Sequence, residues 1–375
     1  MPDCTKPLRK SRQRGLSLIE LMVSLAIGMA IVLLLTTLTI DFERQKRISV
    51  GSGGTGDAAA VAIGLMRTAI GSAGHSINFP NAIGCQFRLF READNTAVVF
   101  DTTTALPSPP GLFPVFIGQG AAGASDMLTV ASGNSRQFAE TFLQTTHPGD
   151  NSGLITASSL GFFPPPLATP GRGDVVLLTQ TQNGPCRIRE VSGRSGSTLL
   201  NAAGSVRFNE PAGLGQVFNA GGPANGGAKL TNLGPNPSLQ QFTVTNQRFM
   251  VADQFAGTND VMFDHAITLQ AQYGFFNATT STTDWCDVRG GPGCAGATWA
   301  QLTAVRLALV LRSPNLDCTA NSPTTLTWGS TDSPDGTAWT WGSFDVSALP
   351  NASCYRYQVV QSVVSVRNMI WSHTQ

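Results

Sequence analysis

KPLRKSRQRGLSLIELMVSLAIGMAIVLLLTTLTI, Lys6 to Ile40, is the stretch from which the rest of the chain is read. Five basic residues, Lys6, Arg9, Lys10, Arg12 and Arg14, lead to Gly15, and an almost wholly apolar run starts at once. From Leu16 to Ile40 the one charged residue is Glu20. At about 1.5 Å of rise per residue such a run makes a helix roughly 37 Å long, enough to cross a bilayer with some tilt. The basic flank holds to the cytoplasmic side, so the chain that follows is delivered to the far side.

Glu20 is the anomaly, because a lone charge in hydrocarbon costs about 2.5–3.5 kcal/mol even on lenient insertion scales. Three readings compete. In an ordinary signal anchor Glu20 sits near the headgroups. A cleaved secretory signal wants a small-residue site after the apolar core, and TTLTIDFERQ offers a poor one. In the third reading a leader is cut between Gly15 and Leu16 and the apolar helix is kept.

The string RGLSLIELMVSLAIG resembles the class III signal of type IV pilins and type II secretion pseudopilins. In that family a prepilin peptidase cuts after the glycine and the new N-terminus is methylated. The resemblance implies that Gly15 is the last leader residue, Leu16 the N-methylated first residue, and Glu20 the family glutamate. Leu16 stands where most members carry phenylalanine. Cleavage would leave an α-amino group inside an apolar bundle, where a buried ammonium needs a partner. A carboxylate one helical turn along supplies it, within the subunit or from a neighbour. Buried pairing of this kind sets register more than it adds stability. Glu20 thus reads as an assembly residue.

The chain has 375 residues, of which only 13% are charged, about half the usual globular share. Gly and Pro make up 40 and 22 of them, which implies many turns and loops. The formal charge of +1 includes a net +4 on residues 1–15, so the chain from Leu16 onward carries −3. No basic field remains for nucleic-acid binding through bulk electrostatics. Cys4 falls in the leader, and Cys85, Cys186, Cys286, Cys294, Cys318 and Cys354 remain. An even set facing an oxidising compartment favours disulfides, and six cysteines allow about fifteen pairings. The pairing expected is Cys286–Cys294 around a Gly-Pro loop, Cys318–Cys354 across a long excursion, and Cys85–Cys186 for the remainder. Zinc is the rival, but the sequence has no C-x-x-C and its histidines lie far from its cysteines.

The expected organisation is a leader (1–15), an assembly helix (16–40), an outer helix segment with a Gly-rich break (41–75) and a β-rich periplasmic or extracellular domain (76–375). In the outer segment Ile63, Met66, Ile70 and Ala73 recur at helical spacing and would face a sheet. The glycines of GSGGTG, Gly51–Gly56, predict a kinked or melted helix. Gly51, Gly53 and Gly56 also satisfy G-x-G-x-x-G, but no strand precedes them as the dinucleotide fingerprint requires. AGGPANGGAK (Ala220–Lys229) lacks the ending of a phosphate loop. Strands are expected at Ala97–Phe100, Met127–Ala131, Val175–Thr179, Arg187–Val191, Phe249–Ala252, Ala266–Phe275, Val305–Leu311 and Tyr355–Val366. The class is α+β and pilin-like, a long N-terminal helix packed on a large, decorated antiparallel sheet with long loops.

Later patches sharpen the resemblance. SAGHSINFPNAIGC (Ser72–Cys85) resembles the region after the helix in PilW-like minor pilins, with Gly71 or Ser72 where members often carry arginine. QAQYGF (Gln270–Phe275), AVRLALVLRS (Ala304–Ser313) and YRYQVVQSVVSVRNMIW (Tyr355–Trp371) resemble that family's later strands. Residues 100–250 align to nothing.

No catalytic residue is nominated and no cofactor is implied. Asp264 and His265 are adjacent, and neighbours on a strand face opposite ways. His75, His147, His265 and His373 read as surface or loop histidines. Asp260 with Asp264, or the Asp332–Asp335 turn, could hold calcium, but the rest of an EF-hand loop is missing. Trp285, Trp299, Trp328, Trp339, Trp341 and Trp371 read chiefly as padding of a disulfide-bound β core. Trp339 and Trp341 alternate in TAWTWGSF and would share one face, the best candidate for a partner contact.

The resemblance implies a minor pilin of the PilW family, acting in pilus assembly or initiation at a tip or priming position. The implied partners are other minor pilins, the major pilin, the prepilin peptidase, the inner membrane and a tip adhesin. The protein would sit in the inner membrane before assembly and on the pilus afterwards. Alternatives are a J-like pseudopilin of type II secretion, or a pilus-displayed adhesin or DNA-uptake module.

Overall fold

The computed structural model describes residues 18–77, 81–100, 108–121, 124–150, 152–165, 172–181, 183–202, 207–211, 215–221, 226–318, 321–330 and 339–370. Gly15, Leu16, Trp371, His373 and the Asp332–Asp335 turn lie outside the described residues. One helix, α1 (Leu18–Ser72), opens the chain. The expected melting at Gly51–Gly56 does not occur, for helical structure continues through the glycines. Each glycine costs an exposed helix about 1 kcal/mol against alanine, a penalty that neighbouring turns and packing further along can absorb. The chain divides into two compact units within this stretch, between Gly53 and Gly54.

In the second unit, α1 buries Thr55, Ala59, Ala62, Ile63, Met66, Ala69, Ile70 and, just past its end, Ala73. Steps of three and four put these on one face, as the sequence pattern requires. That face packs on a four-stranded antiparallel sheet ordered β16 (Thr282–Cys286), β15 (Ala266–Asn277), β17 (Leu302–Arg312) and β20 (Tyr357–Ser365). Leu269, Ala271, Tyr273 and Phe275 of β15 join Val305, Leu307, Leu309 and Leu311 of β17 in the same core. Strict alternation puts the intervening residues on the other face. A hairpin of β18 (Thr325–Ser330) and β19 (Trp339–Asp345) covers that face, with Leu326 and Trp328 on Ala308 and Val310. A short helix, α2 (Arg367–Ile370), follows β20, and its Met369 joins the helix-facing core.

A five-stranded antiparallel sheet runs β14 (Thr258–Asp264), β13 (Arg248–Asp253), β12 (Ser238–Thr245), β4 (Met127–Ser132) and β3 (Val115–Gly118). Val115, Ile117, Leu128, Val130, Phe242 and Phe249 extend the core that contains α1. A six-stranded sheet runs β2 (Thr96–Phe100), β1 (Gln86–Arg91), β8 (Pro185–Glu190), β7 (Val175–Thr179), β11 (Lys229–Gly234) and β5 (Glu140–Phe142). It is antiparallel except for β1 and β8, which run parallel with Phe87 beside Cys186. A small sheet of β6 (Leu154–Ile155), β10 (Thr198–Leu200) and β9 (Gly193–Ser195) completes the domain.

The expected strands all coincide with observed ones, while the single decorated sheet is in fact five sheets. VVLLT explains part of the difference. Val175 and Leu177 enter one core with Phe87 and Ile188, and Val176 and Leu178 enter another with Phe162 and Phe218. A strand buried on both faces reads as a continuous apolar run, which cannot say what lies on either side.

All three disulfides form in the expected pairing. Cys85–Cys186 joins the starts of the parallel pair, Cys286–Cys294 closes the loop after β16, and Cys318–Cys354 brackets the covering hairpin. Two polar contacts fasten the five-stranded sheet to the four-stranded one. The Tyr273 hydroxyl accepts a hydrogen bond from the Ile117 amide at 2.6 Å. Asp126, only 3% exposed, accepts from the Gly120 and Ala271 amides, each at 2.9 Å.

Burial raises the Asp126 carboxyl from the ordinary 3.8 to about 6, against the pull of the two amides, and Asp287 nearby adds to the rise. Between those values the folded state binds more protons than the unfolded one. The stability that Asp126 contributes is therefore full below pH 4 and lost as pH rises to about 6. Asp126→Asn should remove this slope. Chemical unfolding at steps from about pH 4 to 7 should show the wild type losing stability relative to the variant across the lower window, with parallel curves above pH 6.

Candidate functional site

Leu18–Ile40 forms a helical span of mean hydropathy 2.6 with none of its surface buried. Leu18 is 78% exposed and Ile27 55%, on opposite sides of the helix. Apolar surface of this extent calls for a bilayer or for other helices. Its hydroxyl groups are already satisfied. Ser24 Oγ donates to the Glu20 carbonyl at 2.7 Å, and Thr36, Thr37 and Thr39 donate back to carbonyls one turn earlier at 2.8 Å. Bonds of this sort hide polar atoms from hydrocarbon. What remains is the Glu20 carboxylate, exposed in the first turn and without a partner among the described residues.

The other sequence candidates are absorbed into structure. Gly51, Gly53 and Gly56 are helical and form no phosphate-binding loop. His265 has a left-handed backbone (φ 70°), and Asp264 pairs instead with Arg248 at 2.9 Å. His147 lies in a loop as expected but is not a surface residue. It is 3% exposed, with Nε2 at 2.9 Å from the Ser152 carbonyl and Nδ1 accepting from the Gly149 amide at 3.1 Å. Among the described residues no group of three or more His, Cys, Asp or Glu is placed to hold a metal ion.

The tryptophans divide by location. Trp299 packs on Tyr273, Phe275 and Phe113 in the helix-facing core, and Trp328 is buried beneath the hairpin. The expected shared face of Trp339 and Trp341 rests on Trp341 alone, as the side chain of Trp339 lies outside the described residues. Trp341 and Trp285 sandwich the Arg306 guanidinium, each ring centre 4.7 Å away. Arg306 Nε also donates to Gln272 Oε1 at 2.7 Å, and burial lowers its pKa to about 10. Gly274 makes room for this arrangement, since a Cβ there would lie 2.8 Å from Trp285 Cζ3. The adjacent Tyr-Gly pair thus has two jobs. Tyr273 faces the helix and Gly274 admits an indole on the opposite face. Sequence reasoning noted the pair but not its partners, which come from two other strands.

Residues 10–36 match the prokaryotic N-terminal methylation motif. The matched stretch takes in the basic residues from Lys10 and most of the apolar run, the sequence pattern typical of type IV pilins. Residues 228–368 match the family model described as Type IV Pilus-assembly protein W, PilW. The match runs from the start of β11 into α2. Together the two matches support a role as a minor pilin in type IV pilus assembly, a structural role. No curated protein and no solved structure matches. The six-stranded sheet lies mostly outside the family match, as β1, β2, β5, β7 and β8 all precede residue 228.

Gly274→Ala should expel Trp285 from its place over Arg306 and cost about 1–3 kcal/mol through overpacking. A lowered urea midpoint with altered tryptophan emission is the expected result. Unchanged emission would mean that the indole does not depend on that gap.

Proposed function

We propose that this chain is a low-abundance minor pilin, cleaved after Gly15 and N-methylated at Leu16. It works at the tip or in the priming complex of a type IV pilus. The observation that carries the reading is the apolar helix exposed on all sides with one unpartnered carboxylate, Glu20. In a bundle with other pilin helices the apolar surface is covered, and Glu20 accepts the α-ammonium of Leu16 from its own chain or a neighbour. The pairing disfavours registers that leave either charge alone. Other minor pilins and the major pilin are the partners, with the inner membrane holding the subunit until it is incorporated.

The size of the second unit, Gly54–Gln375, supports the terminal position. A domain of more than three hundred residues with an additional six-stranded sheet is costly to repeat along a thin fibre. A fibre end carries it once.

Glu20→Ala should leave membrane insertion intact, since it removes a charge from the apolar run. Leaving the ammonium unpaired costs about 3–5 kcal/mol, enough to lower incorporation more than tenfold. The measurement is co-purification with the other pilins and a count of surface fibres, alongside antibody labelling of the wild-type subunit. Labels confined to fibre ends are expected. Even labelling along the fibre would overturn the tip position, and normal incorporation of Glu20→Ala would overturn the pairing.

A further inference from the structure

A cavity of about 340 Å³ is lined by residues 134–137 after β4, by Phe163 and Asp174, and by the β11–β12 turn. Its volume falls at the lower end of the roughly 300–1,000 Å³ of ligand pockets. We propose that this cavity binds a saccharide, one or two pyranose rings, through Asn134, Arg136, Phe163, Asp174, Asn232 and Asn236.

The argument begins with hydrogen-bonding groups already committed and those left over. Asp174 is 6% exposed, and its Oδ2 accepts from the Phe163 amide at 2.9 Å and from Asn232 Nδ2 at 2.7 Å. Its Oδ1 has no partner among the described residues. Asn232, 2% exposed, is fixed by further bonds to the Gly161 carbonyl and from the Gly234 amide. Asn134 Oδ1 accepts from the Asn236 amide at 2.9 Å, and Asn236 Oδ1 accepts from Arg172 Nη1 at 2.8 Å. Both carboxamides therefore hold their oxygens in the protein and keep their NH₂ groups unspent. The Arg136 guanidinium is exposed and unpaired among the described residues. A rigid acceptor thus faces several free donors, the set that vicinal hydroxyls, each donor and acceptor at once, can satisfy.

An apolar element completes the site. Phe163 lines the cavity and is 47% exposed, enough to stack on the C–H face of a sugar ring. Next to the lining residue Gln137, Phe138 is held at φ 46°, a left-handed backbone that a bulky residue rarely adopts. Its ring is 60% exposed and packs against His75 at 4.7 Å. Strain of this kind, tolerated to present an aromatic ring to solvent, belongs with binding surfaces.

Other ligand classes fit less well. Arg136 and Arg172 stand near the cavity, but the Asp174 carboxyl in its wall opposes a strong anion, and a single carboxylate is too few for a metal. The buried Asp174 carboxyl and Asn232 carboxamide in its wall disfavour an acyl chain. Six of the ten lining residues precede the PilW match, and four, Asn232 and Asn236 among them, lie within it.

The test is saturation-transfer NMR on the full chain in micelles of a detergent with no sugar headgroup. The probes are glucose, galactose, mannose, N-acetylglucosamine and N-acetylgalactosamine, with methyl phosphate and triglycine for comparison. At least one sugar should show saturation transfer. Arg136→Ala and Asn236→Ala, both at exposed side chains or turns, should each weaken it about tenfold while leaving the melting temperature unchanged. Trp341→Ala, in the distant Arg306 sandwich, should leave sugar binding as it is. Absence of any sugar signal up to about 10 mM, a weak limit on affinity, would overturn the proposal. So would binding that survives both cavity variants, binding lost in Trp341→Ala, or a response to methyl phosphate or triglycine alone.

Discussion

An apolar helix that exposes its entire circumference and one carboxylate cannot rest in water. Burial of Leu18–Ile40 is favoured by roughly 25 cal/mol for every square ångström removed from solvent, and the bilayer is the first surface to offer it. The bilayer does not satisfy Glu20. A bundle of like helices does, provided an ammonium arrives at the right height. The apolar residues thus drive association and the carboxylate fixes its register. The hydroxyls of Ser24, Thr36, Thr37 and Thr39, turned back on their own helix, leave Glu20 as the polar group that neighbours must answer.

The other end of the same helix meets different demands. From Thr55 onward one face is buried against β15 and β17, and the opposite face of that sheet is closed by the β18–β19 hairpin. Tyr273 and Asp126 then fasten the five-stranded sheet to this central layer through backbone amides, where side-chain packing alone would permit sliding. Arg306, held between Trp285 and Trp341, does similar work on the hairpin side. The PilW match spans the four-stranded sheet, its hairpin and strands β12 to β14, while the six-stranded sheet, mostly before it, shares one core with the five-stranded sheet through Ala131 and Leu239 and a second with the small sheet.

How much of this was legible depends on the distance over which each feature is encoded. The helix and its buried stripe of Ile63, Met66 and Ile70 follow from a local period. So do β15 and β17, whose alternation or unbroken apolar character is written within a dozen residues. The three disulfides were reachable because two of them close excursions visible in the chain, which leaves one pair. The parallel contact of β1 with β8 was not legible, since about a hundred residues separate the two strands and β1 was not among the strands expected. The helix through Gly51–Gly56 went against local propensity. His147 looked like a loop residue and is one, yet its burial is set by Ser152 and the backbone around it. The saccharide cavity draws on three segments, none of which carries a motif.

The central claim is that the exposed helix enters a bundle with a free, methylated amino end next to Glu20. The most direct measurement is the N-terminal mass of the protein isolated from native membranes. The account predicts a chain that starts at Leu16 and carries one added methyl group. A chain that keeps Met1 in cells with an active prepilin peptidase would contradict it, leaving a membrane-anchored periplasmic protein with no ammonium for Glu20 to meet.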